Sequence, residues 1–506
     1  MPTDIELGER RMDRRVSFID RITSTRGART SPRVNTFASI ASARERTGEG
    51  QVITSLSPLT DDERQRQDCL LALIVGDNLI KGSLADACIW YSRFLRHKFL
   101  SHWHLLAPTL VGLEDDSTGP RSGDLVIVYN FAITVARLLK TQSSLALAEI
   151  VDGLENEQQL KQQLDSERAL HNQAVFAAVG WLTMLYEAVN KPEVDKLEIT
   201  RTSTASSGRR NTLTTRKIRN HSQGFDHVDR SLDYLLSKFG ELIPGPKVSN
   251  PTELSDVTES ASEAINVQTL CFNTLNNVVE VKIEWVTSHA LHLEFDSGKK
   301  TLKLFQYPSF ARIMTEAKKN GLLSKVFNDH AAANCEDVQT PEVPASEYFE
   351  EILLSYRLIF GLDEKSWRSF SRIMTAMEEQ EVSGDLPFVW DPLLHTLCGK
   401  SASSEEAQRI YDDIEASESA KTYPYAEFPF FGKRLIALQE FVKQHQPQNV
   451  RSLLNDRRDV AAWYTLWNNQ ILVFFATFTI FLMLLSLIFQ VWQVMLAKQQ
   501  LEQGNH

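Results

Sequence analysis

A chain of 506 residues with 42% apolar side chains has the length for several domains and the apolar content to give them cores. Its net charge of −11 excludes a protein that coats nucleic acid, because phosphate binding needs a basic face. The five cysteines, Cys69, Cys88, Cys271, Cys335 and Cys398, lie far apart with no C-x-x-C pair. They offer no zinc or redox ligand set and are expected to be reduced thiols packed as small apolar residues.

Residues 1–54 hold ten arginines in the first fifty positions together with seven acids, and no apolar stretch. The acids argue against a mitochondrial presequence and the missing apolar region against an export signal, so this is expected to be a disordered tail. Folded sequence is expected from residue 55. Thr60 with Glu63 three positions on has the form of a capping box and opens a helix through "CLLALIVGDNLI". Further helical patterns follow over "LADACIWYSRFLRHKFLSHWHLL", Asp124–Lys140, Ser143–Asp152 and about Glu155–Asn190. Together they predict an α-helical domain over 55–192. Its apolar run Ala174–Tyr186 has 13 residues, which suits a core helix rather than a membrane span.

Composition changes sharply after that. Ile199–Phe225 carries six basic residues, ten Ser or Thr and no acid, so 193–263 is expected to be a mostly disordered insert with one helix. Period-two alternation appears in "VVEVKIEWV" and returns in "LHLEF"; the turn "DSGK" then leads to "TLKLF". These three segments predict a three-stranded antiparallel meander, with helices after Pro308 covering its apolar face. The region 264–447 therefore reads as a small α+β domain in a mainly α protein.

Motifs for chemistry are sparse. His97, His102 and His104 are close in sequence, but 102 and 104 point about 200° apart on a helix and no further ligand is marked, so a packing role is expected. "CGKS" at Cys398–Ser401 resembles the end of a phosphate-binding loop, yet Leu394 stands where that loop needs glycine. No hydrolase, kinase, zincin or dinucleotide signature occurs, and no cofactor is implied. Ser17 follows Arg14-Arg15, and Thr212 follows Arg209-Arg210. Both fit a basophilic kinase, and phosphate at either would offset the local basic charge.

The end of the chain is the most informative stretch. Ile471 to Phe489 is uncharged over 19 residues, about 28 Å as a helix and close to the hydrocarbon thickness of a bilayer. Ile471, Phe475, Leu482, Leu485 and Phe489 represent its lipid-facing bulk, and Trp463, Trp467 and Trp492 are placed as interface anchors. A transmembrane helix is expected over 469–497, after a juxtamembrane segment, 448–468, and before a short lumenal tail, 498–506. Arg451, Arg457 and Arg458 precede the run and only Lys498 follows it, so the positive-inside rule keeps the bulk of the chain cytosolic. A span so close to residue 506 is expected to be a post-translationally inserted tail anchor.

"SYRLIFGLDEKSW", "DPLLHTLCG", "FPFFGKRLIALQEFVKQHQP" and "NDRRDVAAWYTLW", with "EWVTSHALHLEF" and "TLKLFQYPSF", resemble phrases of a family of single-span membrane proteins of filamentous fungi. The resemblance covers about 260–500. It implies the single span and carries no activity or catalytic residue across. The expected function is partner binding by a membrane-tethered cytosolic adaptor or regulatory region, with the endoplasmic reticulum or endomembranes favoured. The alternative is a membrane-tethered enzyme with its site between the helical and α+β regions.

Overall fold

The computed structural model describes residues 58–76, 84–114, 119–142, 145–162, 168–200, 220–240, 242, 264–333, 345–371, 391–399, 404–413, 422–445 and 460–503. The first half is helical: α1 (Asp61–Val75), α2 (Ala85–Ser101), α3 (Trp103–Thr109), α4 (Asp124–Thr141), α5 (Leu147–Asn156) and α6 (Arg168–Thr183). Helix α1 starts where the sequence says it should. The Thr60 hydroxyl accepts from the Glu63 N–H, and the Glu63 carboxylate accepts from the Thr60 N–H at 2.9 Å. The expected helix over 155–190 is interrupted instead. It ends at Thr183 because Met184 turns left-handed, at φ 52°, and the chain continues extended.

A three-stranded antiparallel meander exists, but other residues build it. Strands β1 (Glu187–Ala188), β2 (Lys196–Thr200) and β3 (Asn220–Gly224) pair in chain order, with Ile199 opposite His221. Two segments within the insert expected over 193–263 are thus strands. β3, "NHSQG", has no apolar alternation, so its pairing was invisible to a periodicity argument. Residues 201–219 lie outside the described ones.

Helix α7 (Leu232–Ser237), strand β4 (Ile265–Asn266) and two short helices, α8 (Val267–Leu270) and α9 (Phe272–Asn277), lead to the second sheet. Its strands are β5 (Lys282–Val286), β6 (Phe295–Asp296) and β7 (Thr301–Phe305), the three segments expected, in the order β5-β7-β6. The DSGK hairpin forms, with Asp296 opposite Thr301 and the Asp296 carboxylate accepting from the Lys299 N–H. β5 and β7 run parallel, however, with Trp285 beside Leu304. "LHLEF" does not alternate as a strand because His289 and His292 are both drawn inward to buried partners. Leu293, at φ 60°, then turns the chain to the far side of β7.

Helices α10 (Pro308–Ala317), α11 (Ser324–Ala333), α12 (Ala345–Tyr356), α13 (Pro392–Cys398), α14 (Glu405–Asp413) and α15 (Gly432–Gln444) complete the body, and strand β8 (Thr422–Tyr423) pairs with β4. α10 packs on α12 and also on α2 and α1 from the first half. One cluster of buried apolar side chains runs from Leu70 to Val442, so 55–192 and 264–447 share a single core. Cys88, Cys271 and Cys398 are buried in the expected manner; Cys69 is exposed.

One carboxylate holds two helix starts. Asp391, fully buried, accepts from the Leu393 N–H at 2.9 Å in the first turn of its own helix α13. It also accepts from the Ser309 N–H at 2.7 Å and the Ser309 hydroxyl at 2.6 Å in the first turn of α10. First-turn N–H groups have no partner within a helix, so removing the shared acceptor orphans donors at both. Asp391→Ala is expected to cost about 3 kcal/mol of stability, and Ser309→Ala about 1 kcal/mol, measured by denaturant unfolding of the detergent-solubilised chain.

Candidate functional site

The strongest candidate feature is helix α16 (Val460–Gln503), whose segment Trp467–Lys498 is long and apolar enough to cross a membrane and is 0% buried by the rest of the chain. Ile471, Phe475, Leu482, Leu485 and Phe489 are all exposed, as are Trp467 and Trp492. Those two tryptophans are 25 positions apart, about 38 Å along the axis, which matches the separation of two membrane interfaces. Trp463 is in the same helix, with its side chain outside the described ones. The hydroxyls of Thr477 and Thr479 donate to the Val473 and Phe475 carbonyls at 2.8 Å, so neither carries an unmet donor into lipid. The chain therefore has a single C-terminal apolar helix among its described residues, consistent with a single-pass membrane protein.

Within the body, the polar groups that could do chemistry converge on α12. Tyr348, Glu351, Ser355 and Tyr356 occupy one side of it, and all four are buried. Ser355 Oγ lies 2.6 Å from His292 Nε2, a spacing that would suit a nucleophile and its base. The proton is on the wrong nitrogen for that. His292 Nδ1 accepts from the Phe305 N–H at 3.1 Å, which leaves Nε2 as the N–H that donates to Ser355. The Ser355 hydroxyl in turn donates its hydrogen bond to the Ile352 carbonyl at 2.6 Å. An imidazole already protonated toward serine cannot take the serine proton, so this pair ties strand to helix and does not activate a nucleophile.

His289 is held in the same manner. Its Nε2–H donates to the Thr183 carbonyl at 3.2 Å, and Nδ1 faces the Tyr348 hydroxyl at 3.1 Å. Beside it, the Glu187 carboxylate accepts from Lys98 at 2.8 Å and from the Thr287 hydroxyl at 2.6 Å. This seam between the helical half and the second sheet is where an enzyme site was the alternative expectation. The side chains named here are bonded to one another and to backbone carbonyls across it. Glu351 accepts from the Phe430 and Phe431 N–H groups, each at 2.9 Å, at the start of α15. Burial pushes its carboxyl up to about 8, and that of Asp391 up to about 7.

The sequence-level candidates form no metal site among the described residues, although the helix break at His102 brings the His102 and His104 rings to 6.4 Å instead of setting them on opposite faces. His102 packs on Trp181 with ring centroids 4.7 Å apart, while His104 bonds the Asn190 carbonyl. The helix breaks between α2 and α3 at His102, and no group of three or more His, Cys, Asp or Glu suited to a metal occurs among the described residues. Gly399 ends α13, its N–H donating back to the His395 carbonyl at 3.1 Å. Phosphate loops precede a helix start, so Cys398–Gly399 has the opposite polarity. Ser17 and Thr212 lie outside the described residues. The α12 cluster left a trace that the motif search missed: polar side chains three, four and seven apart within the apolar helix "SEYFEEILLSY". No family model, curated protein or solved structure matches the chain.

Burial holds His289 neutral, lowering its pKa to about 3. The unfolded chain takes up a proton near pH 6.5 that the folded chain refuses, so this stability is complete above pH 6.5 and lost as pH falls toward 3. The loss between pH 7 and pH 5 is about 2 kcal/mol for this one residue. His289→Gln should be less stable at pH 7 yet lose less on acidification, by about that amount, in denaturant unfolding compared at the two pH values.

Proposed function

We propose that this protein is a tail-anchored, single-pass membrane protein whose helical body works on the cytosolic face of the endoplasmic reticulum or a derived endomembrane, binding protein partners there as an adaptor or regulator. The observation that carries the reading is the apolar segment Trp467–Lys498, which the chain's own body leaves uncovered. Water would make that exposure costly, at about 25 cal/mol per Å² of apolar surface, whereas hydrocarbon removes the penalty. Orientation rests on Arg451, Arg457 and Arg458 before the span against Lys498 after it. Ser17 and Thr212 are the proposed sites for a basophilic kinase, each two positions after an arginine pair.

The anchor is tested by carbonate extraction of membranes. Wild type should stay in the pellet, and deletion from Asn468 onward should release a folded chain to the supernatant. Leu482→Arg with Leu485→Arg should do the same, because each arginine costs roughly 2.5–3.5 kcal/mol near the bilayer centre. A deleted chain that still pellets would place a second integral segment in the body, and a wild type that extracts would end the membrane reading.

Topology has an internal reporter. Asn220-His221-Ser222 is a glycosylation sequon on β3, and a cytosolic body leaves it bare. An acceptor sequon appended after His506 should be glycosylated in the endoplasmic reticulum. Glycan on Asn220 would reverse the orientation, and a fluorescent amino-terminal fusion confined to mitochondrial rims would overturn the organelle.

A further inference from the structure

Helix α16 carries its polar side chains unevenly. Residues seven apart on a helix share a face to within about 20°. Leu472, Thr479, Ser486 and Gln493 form one such row. Asn468, Phe475, Leu482 and Phe489 form the adjacent row, offset by three and four positions. The two rows alternate the small or polar Thr479, Ser486 and Gln493 with the bulky Phe475, Leu482 and Phe489. Gln490 flanks them. The other polar residue of the 471–489 run, Thr477, lies about 200° around the helix from Thr479.

We infer that this face is the contact through which the span pairs, parallel and in register, with a second copy of itself. The inference rests on the single-pass reading above and adds a partner to it. Two copies inserted by the same rule point the same way, so each residue of the seam meets its own counterpart at the same depth. Amides suit that symmetry: a glutamine has both a donor and an acceptor and can satisfy an identical glutamine, which a lipid chain cannot do. Ser486 lies within the hydrocarbon, and Asn468 and Gln493 close the seam at its two boundaries. Thr479, at the midpoint, already donates to Phe475, so its hydroxyl oxygen accepts at most and its small size matters more. Phenylalanine and leucine knobs fill the spaces that Thr479 and Ser486 leave open. Among the described residues no part of the body covers the face, which leaves it open to a second copy.

The test uses the full-length chain, labelled at its amino terminus with donor or acceptor fluorophores and reconstituted into phosphatidylcholine vesicles at a series of lipid-to-protein ratios. Wild type should show energy transfer above random collision that dilutes away reversibly with added lipid. Ser486→Leu with Gln493→Leu keeps the span apolar and should weaken pairing about tenfold, about threefold for each polar layer lost. Thr477→Leu, on the other face, should leave it unchanged. Transfer at the collision level in wild type would overturn the pairing, as would equal loss in Thr477→Leu or no loss in the double variant. All variants are first extracted with carbonate: a resistant but monomeric chain sinks the pairing alone, and a wild type that extracts sinks the membrane reading with it.

Discussion

Buried polar groups must be paired, and in this body α12 is the helix on which pairs from separate stretches of chain converge. Tyr348, Glu351, Ser355 and Tyr356 reach His289, the start of α15, His292 and the Phe305 carbonyl, which belong to three separate stretches of chain. None of these groups has access to water, so each contact that is lost leaves a desolvated donor or acceptor with no alternative partner. The helix therefore acts as a register. The sheet residues and α15 can be satisfied only where its side chains present the matching atom.

The same logic explains why histidine, serine and carboxylate side chains gather here without forming a catalytic set. Catalysis needs a base with a free lone pair aimed at its nucleophile and an opening for substrate. In this interior His292 spends its lone pair on the Phe305 N–H and its own N–H on Ser355, and His289 spends its N–H on the Thr183 carbonyl. The carboxyl groups of Asp391 and Glu351 face helix starts, where their oxygens accept from backbone N–H groups. Proximity of the right residue types is thus a weaker indicator than the direction of each proton.

The body and helix α16 place their apolar side chains in opposite ways. The body hides its apolar side chains in one cluster that joins both halves of the chain, so His289 and Glu187 bridge segments about a hundred residues apart. Helix α16 exposes its apolar side chains all round, and the hydroxyls of Thr477 and Thr479 turn back onto its own backbone. On the proposed membrane reading no hydrophobic force acts between helices in lipid, and only shape and hydrogen bonding remain to select a neighbour.

How much of this could be read beforehand depended on the range of the interaction. The capping box at Thr60 and Glu63, the DSGK turn, the mainly α composition and the uncharged run from Ile471 are local: propensity, spacing or solvent preference decides them within a few residues. The parallel pairing of β5 with β7, the pairing of the polar strand β3 and the joining of 55–192 to 264–447 are not local. The halves are joined by contacts such as His289 reaching Thr183 across 106 positions and Thr287 reaching Glu187 across 100, and within 264–447 Ser355 reaches His292 across 63 and Asp391 reaches Ser309 across 82. No periodicity records such contacts, because a buried polar side chain looks the same in sequence whichever partner satisfies it; only the packed interior, which allows it one, makes the choice.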